Sequence, residues 1–395
     1  MGVLDGITVL DLSILIQGPQ AAAMLNDLGA NVIKIELPEA GDLARWIHVS
    51  DDDDRAPVFE ACNRGKRSVT LDLRQPGGKR ALERLASQAD VLIHNFVPGT
   101  MELWGLSYEE LAAINPGLIY ASGSSYGPLG PRSTMEGADT IGQAWGGLIS
   151  ATGTDAGEPT PIAALISDHT ACQNMVTGIL AAMIHRQRTG EGQRIDVSLL
   201  GGMIWAQASE LTYTMLSGEV LGRANRGHPL IKGLLRMIPT ADGWIQLVGV
   251  PPHLWPGFCR AIDRLDLIDE ERFATLFLSS EALAELCQLV DEIFPTRSTA
   301  EWCERLAAEH QRFAPVRDHG EVVADPDAVT NSYIVEVDHP EWGPIKTVGS
   351  PLRMSSTPTE PGVVAPNLGQ HTEEVLLEAG FSWDDIAQLQ AEGAY

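Results

Sequence analysis

The sequence predicts an α/β chain: a doubly wound lobe on a parallel sheet, followed by a smaller α+β lobe. Two observations carry this. Apolar, β-branched runs alternate with helical stretches from residue 7 to residue 198, and strands joined through helices need crossover connections that make a parallel sheet covered on its faces. Beyond residue 222 the pattern changes to a Gly- and Pro-bearing loop, a hairpin and three helical stretches, which no longer spell strand–helix–strand units. A chain of 395 residues is also long enough to favour two or more lobes over one.

Each element has its own signal. "ITVLDLS" (7–13), "GPQAAAMLNDLG" (18–29) and "ANVIKIE" (30–36) read as strand, helix and strand, a right-handed βαβ unit. "RSVTLDLR" (67–74), "DVLIHNF" (90–96) and "GLIYASGS" (117–124) continue the strands, with helices across "GGKRALERLASQ" (77–88) and "SYEELAAI" (107–114). A helix from Thr170 to Arg188 carries Met175, Ile179, Ala182 and Met183 and stops at Gly190, which can take the left-handed terminal conformation. "GQRIDVSLLGGMIWAQASEL" adds a strand and a helix leading away. In the smaller lobe "LLRMIPTADGWIQLVG" reads as a hairpin with Asp242-Gly243 at its turn. The boundaries are 1–199 for the large domain, 200–224 for a linker helix, 225–325 for the small domain and 326–395 for a C-terminal segment containing a Pro-rich stretch and two helices.

The formal net charge of −26 argues against nucleic acid as a partner, because neutralising phosphates needs clustered Lys and Arg on a positive face. "MGVLDGITVLDLS" lacks the basic start and apolar core of a signal peptide, and no stretch reaches bilayer length, so the expectation is a soluble cytoplasmic protein without a membrane partner. Cys62, Cys172, Cys259, Cys287 and Cys303 form no C-x-x-C pair; they are expected as reduced core residues, with no structural metal.

Several stretches can carry chemistry. In "ISDHTACQ" (166–173) Asp168 precedes a long uncharged run, and an Asp there either caps the helix or acts as a chemical group. The "IQGP" turn (16–19) joins strand to helix without a G-x-G-x-x-G fingerprint, so it gives no reason to propose NAD. "NRGKRSVTLDLR" (63–74) gathers Arg64, Lys66, Arg67 and Arg74 in an acidic chain; a small polyphosphate ligand explains the cluster, and so do nearby acids. "HNFVPG" (94–99) lies at the C-terminal end of a strand, where ligands collect in open α/β sheets. There Asn95 offers a donor and an acceptor, Phe96 offers a ring that either stacks on a ligand or fills the core, and His94 reads as structural.

Taken together, "VLDLSILIQGPQAAAMLNDLGANVIKIELPEAGDLAR", "NRGKRSVTLDLR", "ADVLIHNFVPG", "GLSYEELAAINPGLIYASGSSYG", "RTGEGQRIDVSLL" and "APNLGQHTEEVLLEAGFS" resemble the class III CoA-transferases, the formyl-CoA and carnitine CoA-transferase family. The resemblance implies a Rossmann-like large domain, a small domain, a C-terminal segment returning to the large one, and a homodimer of two interlinked rings. It places Asp168 on the family's catalytic aspartate. It further implies coenzyme A or acyl-CoA as a substrate rather than a tightly bound cofactor, and a carboxylic acid as the second substrate. Leu71 and Arg74 would lie near the adenine and its ribose phosphate, Asn95 and Phe96 farther along, and Ile16 would make a backbone contact. The implied chemistry passes through mixed anhydrides and an aspartyl-CoA thioester, since covalent catalysis splits one hard exchange into easier steps.

Departures also enter. "ELPEAG" has Pro38 where some members carry an arginine that contacts adenine, and "NRGHPLIKG" (225–233) replaces a run of glycines found in formyl-CoA transferases, which weakens formate or oxalate as substrates. Two alternatives stand beside the transferase. Acyl-CoA racemases of the same fold need a His in a "GHD" context, where "EGADTIGQ" (136–143) has Ala138, leaving Asp139 as a supporting acid; His169 adjoins Asp168 as a substitute, but neighbours at a helix start point in different directions. A non-catalytic CoA-binding subunit of a heteromer is the other, and the retained Asp168 argues against it.

Overall fold

The computed structural model describes residues 2–359 and 364–395, so residues 360–363 of the Pro-rich stretch lie outside the described residues. The chain divides into two compact units. The first comprises Met1–Gly146, Ala163–Ala206 and Asp325–Tyr395; the second comprises Gly147–Ile162 and Gln207–Ala324.

The first unit is built on a sheet of six strands, β1 (Thr8–Asp11), β2 (Asn31–Glu36), β3 (Arg67–Thr70), β4 (Val91–His94), β5 (Ile119–Ser124) and β6 (Arg194–Ser198), in the order β3-β2-β1-β4-β5-β6. Every pairing in it is parallel. The order reverses between β1 and β4, which opens a crevice beyond their carboxyl ends. Successive strand residues point to opposite faces. Leu10, Ile33 and Leu92 join one core with the helix Pro76–Ala86, and Val9, Val32, Val91 and Ile93 join another with the helices Gln17–Asp27 and Ile166–Thr189.

The helices begin, in chain order, with α1 (Gln17–Asp27), α2 (Pro57–Asn63), α3 (Pro76–Ala86), α4 (Thr100–Leu103) and α5 (Tyr108–Ile114). They continue with α6 (Asp139–Trp145), α7 (Leu148–Ala151), α8 (Ile166–Thr189), α9 (Leu199–Ala206) and α10 (Ala208–Ser217). The C-terminal helix Thr372–Glu378 lies beside β3: Thr70 N–H donates to Thr372 Oγ1 at 3.0 Å and His371 N–H to Ser68 O at 2.8 Å.

Three elements differ from the sequence reading. β3 ends at Thr70 rather than Arg74, because Asp72 turns its N–H to Ala394 O at 2.8 Å and the chain leaves the ladder. The helix expected from Thr170 starts at Ile166, for a reason given below. Two helices, α9 and α10, occupy 199–217 where one linker helix was expected, with Gln207 between them.

The second unit holds an antiparallel sheet, β7 (Leu235–Pro239), β8 (Trp244–Val248) and β9 (Phe313–Pro315), in that order. The expected hairpin forms, with Gly243 N–H on Thr240 Oγ1 at 2.9 Å. Its core is aromatic: Phe294 and Trp302, both fully buried, stack with ring centroids 4.4 Å apart. Among the described residues no helix is long and apolar enough to cross a membrane.

Candidate active site

A cavity of about 300 Å³ at the carboxyl ends of β1, β2 and β3 is lined by Leu37, Leu43, Leu71, Phe96 and Trp104, with Asp42, Asp72 and Arg74 among its polar residues. Its wall is the turn from β1 to α1, and side chains from elsewhere fix that backbone residue by residue. Ser13 N–H donates to Asp11 Oδ1 at 3.0 Å, and Ile14 exchanges two bonds with the Asn95 amide at 2.8 Å each. Leu15 N–H donates to Asp42 Oδ1 at 2.9 Å. Leu15 sits at φ +65°, a strained conformation for a branched residue that persists only when its surroundings impose it.

Beneath the turn lies an ionic cluster with no solvent contact at its side chains. Lys34 Nζ meets Asp42 Oδ2 at 2.7 Å and also reaches the Ser13 carbonyl, and Lys66 Nζ meets Asp11 Oδ2 at 2.7 Å, Asn63 Oδ1 at 2.8 Å and Pro19 O at 2.8 Å. Burial opposes charge on Asp11, yet Lys34 and Lys66 hold its carboxyl below the usual range. Burial pulls Lys66 down to about 8, which leaves it protonated at neutral pH. Gly18 belongs to the same turn: a Cβ there would come within 2.3 Å of the Ser13 side chain.

The basic stretch 63–74 is thereby accounted for. Arg64 pairs with Asp27 at 2.5 Å, Lys66 with Asp11, Arg67 with Glu374 and Glu378, and Arg74 with Asp72 at 2.8 Å. Nearby acids, rather than a ligand, compensate these cations. Arg74 alone keeps an exposed side chain and lines the cavity.

At the start of α8 two carboxylates divide the labour. Asp168 is not the cap; it is the third residue of the helix, and the N-cap Leu165 supplies no side-chain bond. The capping acceptor is Asp139, a buried residue at the start of α6, whose Oδ1 accepts from Ser167 N–H at 2.7 Å, Ser167 Oγ at 2.8 Å and Asp168 N–H at 3.2 Å. Its Oδ2 accepts from Gln143 Nε2 at 2.5 Å. These bonds satisfy the first amides and let the helix begin four residues earlier than the apolar pattern suggested. Asp168 is half-buried, and among the described residues no hydrogen bond reaches its carboxylate. Burial, and secondarily the charge on Asp139, push its pKa up to about 7.

The remaining expected site residues fall as follows. Leu71, Arg74 and Phe96 line the cavity. Asn95 does not line it but fixes Ile14, which does. Ile16 is buried as the N-cap of α1, also outside the lining. His94 is structural: burial pulls its pKa down to about 3, and its ring packs between Phe96 and Tyr120. His169 Nδ1 meets Gln20 Oε1 at 2.6 Å, tying α8 to α1, and burial lowers its pKa. The sequence reading missed Asp42 and Trp104. Asp42 caps the short turn Leu43–Trp46 through a bond from Ala44 N–H at 2.9 Å, a local signal that "GDLAR" carries.

A model of CoA-transferase family III matches residues 4–372. The chain is 33% identical over 392 residues to the succinyl-CoA–D-citramalate CoA-transferase of Chloroflexus aurantiacus, covering 98% of this chain and 97% of that protein. It is 32% identical over 408 residues to the formyl-CoA:oxalate CoA-transferase of Streptomyces coelicolor, covering 99% and 98%. Among solved structures, a CaiB/BaiF family protein from Brucella suis superposes with a TM-score of 0.85 at 31% identity, covering 96% of this chain and 99% of that one.

Proposed function

The chain belongs to CoA-transferase family III, and from that premise we propose that it moves CoA from an acyl-CoA donor to a carboxylic acid through a covalent intermediate on Asp168. The observation that carries the reading is the state of that carboxylate: half-buried, free of hydrogen bonds among the described residues, and with its pKa pushed up to about 7. A carboxylate without donors keeps its lone pairs available, and a pKa near neutrality makes it more nucleophilic than an ordinary aspartate while leaving much of it ionised at pH 7.

Asp168 attacks the donor's thioester carbonyl; the C–S bond breaks, giving a mixed anhydride and CoA thiolate. The thiolate attacks the Asp168 carbonyl carbon, the donor's acid leaves as carboxylate, and an aspartyl-CoA thioester remains. The incoming carboxylate attacks that thioester and releases the thiolate again. The thiolate then attacks the acceptor's carbonyl carbon and Asp168 leaves as carboxylate. Each step exchanges one thiolate or carboxylate for another, so no proton has to move. Oxyanions arise along the way, and preorganised amides stabilise such charges. Asp139 occupies the Ser167 and Asp168 amides. The first amides of α1, at Gln17 and Gly18, have no intrahelical acceptor, and the Gln20–His169 contact ties that turn to α8; we assign the oxyanion role to them.

For CoA we assign the cavity at the carboxyl ends of β1, β2 and β3, whose leucines, Phe96 and Trp104 suit the adenine. Leu71 and Arg74 would lie at the adenine and ribose phosphate, with Asn95, Phe96 and the Ile16 backbone farther along. We also infer a homodimer. Helix α10 has no buried residue, and Met215 and Leu216 on it are 75% and 84% exposed, as Trp205 on α9 is 72% exposed; a second copy would cover them. The racemase reading finds no support here, since Ala138 stands where a His is needed and His169 is bonded to Gln20.

The test is mass spectrometry of the protein incubated with a panel of acyl-CoAs, succinyl-CoA among them, then treated with hydroxylamine. A hydroxamate at Asp168, formed without a partner chain, is the expected result. α-Deuterium exchange with no modification of Asp168 would overturn the reading.

A further inference from the structure

Lys66 is a buried cation that the proposed exchange does not use, and all three of its N–H bonds are committed. They go to Asp11 Oδ2 at 2.7 Å, Asn63 Oδ1 at 2.8 Å and Pro19 O at 2.8 Å. An ammonium has three donors and no acceptor, which is what these three oxygens require. A neutral amine would keep two donors and turn a lone pair toward the third oxygen. Asp11 is the charged acceptor and holds the stronger bond, so deprotonation falls on Asn63 and Pro19. Pro19 is the third residue of α1, next to the Gln17 and Gly18 amides assigned above to the oxyanion. Ile16 at the N-cap supplies no side-chain bond, and the first turn has no acid, so no side chain of that helix start caps those amides. The other half of the turn does not depend on Lys66. There Ile14 is held by Asn95, Leu15 by Asp42 and the Ser13 carbonyl by Lys34.

We propose, resting on the transferase reading and the oxyanion assignment above, that Lys66 is a positioning residue: as an ammonium it holds Pro19, and with it the Gln17 and Gly18 amides, on the oxyanion, and as a neutral amine it lets that first turn of α1 relax. It touches no reacting atom and acts through the backbone alone. The titratable groups that face it are Asp11 from β1, Lys34 from β2 and Cys62 from α2. Burial and Lys34 favour the neutral amine, Asp11 favours the ammonium, and the balance falls at about 8. Cys62, its thiol pushed up by burial to about 11, stays neutral through that range, and Asp42 is held by Lys34 at 2.7 Å. The position of Pro19 is thereby tied to a proton that leaves just above neutrality.

The test is steady-state exchange of an isotope-labelled acid into its own acyl-CoA, using the acyl-CoA of the panel above that labels Asp168 most. Rates and melting are followed from about pH 6 to about pH 10 on the full-length protein and on Lys66→Met and Asn63→Asp. In wild type kcat is expected to fall with a midpoint near pH 8 while the protein stays folded and KM for the acyl-CoA changes by less than about twofold. Lys66→Met should lose at least about tenfold in kcat at pH 7 and show no alkaline limb, the loss expected of misplaced amides. Asn63→Asp keeps the accepting oxygen, gives up its bond to Phe59 O and adds a negative charge beside the ammonium, so the limb should move up by about one pH unit or more. If Lys66→Met does not fold, Asn63→Asp carries the test alone. The proposal is overturned if wild type has no alkaline limb below about pH 9, if its limb tracks unfolding, if the limb stays in place in Asn63→Asp, or if folded Lys66→Met keeps wild-type kcat or changes KM alone. Wild type that does not label at Asp168 removes the exchange reading and this role with it, whereas labelling with an unmoved limb removes this role only.

Discussion

Two charged regions of the first unit follow opposite rules. Beneath the β1–α1 turn, Asp11, Lys34, Asp42 and Lys66 are buried and each meets an opposite charge. At the start of α8, Asp168 meets none, and the charge that acts on it is a second carboxylate. The first arrangement fixes backbone: it holds Ser13–Leu15 in a turn that includes a left-handed leucine. The second leaves a group chemically available, at a cost in stability. Pairing and burial together make a scaffold; burial without pairing makes a reagent.

The largest expected effect lies on the unpaired side. Asp168→Ala should lower transfer by at least about a thousandfold, as removal of a covalent nucleophile does, while leaving CoA binding nearly unchanged; substantial residual transfer in steady-state assays would remove Asp168 from the mechanism. Its cost to the fold can be read separately. Because the folded-state pKa is raised from 3.8 to about 7, the fold favours the protonated form, so this contribution is full below about pH 4 and lost as pH rises through 7. Asp168→Asn should therefore melt higher than wild type at pH 8 and not at pH 4; equal melting at both would mean that the carboxylate is not desolvated. The same titration gives activity the opposite slope, rising as pH passes 7 and Asp168 ionises.

On the paired side the effect is structural. Asp11→Ala strands the buried Lys66 ammonium, while Lys34 keeps Asp42, and is expected to cost about 3–5 kcal/mol, the range for breaking a buried pair from one side. Urea denaturation measures it, and a loss under about 1 kcal/mol would mean that water reaches the cluster.

Asp139 combines the two rules at the start of α8, being a fully engaged carboxylate whose charge also acts on a free one. Asp139→Asn keeps an oxygen for the Ser167 and Asp168 amides but removes the charge. The acidic limb of the pH–rate profile should then move below 7, while Asp139→Ala also loses the cap and destabilises by about 1 kcal/mol. A limb that stays in place in Asp139→Asn would leave burial as the whole cause of the Asp168 shift.

The α/β class was legible because strand residues alternate between two cores, as Val9 and Leu10 do, and this period is written in the sequence. Asp168 was visible as an acid at a helix start, but its role was not: the sequence could not show that the cap comes from Asp139, 29 residues away. Long-range pairing likewise hid the fate of Arg64, Lys66 and Arg67, whose partners lie as far off as Glu374 and Glu378. Locally the stretch looked like a phosphate site, whereas in space most of it is scaffold.

Arg74 is where the comparison is sharpest, because it is the member of the basic stretch that is paired and yet exposed. Its guanidinium lies flat against the Asp72 carboxylate, with both bonds at 2.8 Å. A ribose phosphate arriving at the cavity would compete with that carboxylate for the same donors. Much of what the phosphate gains is then offset by what Asp72 gives up, and solvent screens the rest. Arg74→Ala is therefore expected to weaken CoA by only a few-fold, and dephospho-CoA by less, in a direct binding titration. Asp72→Asn releases the arginine and should tighten CoA relative to dephospho-CoA. Equal losses for both ligands in Arg74→Ala would put the phosphate elsewhere, and would leave Arg74 as one more cation whose partner is already in the fold.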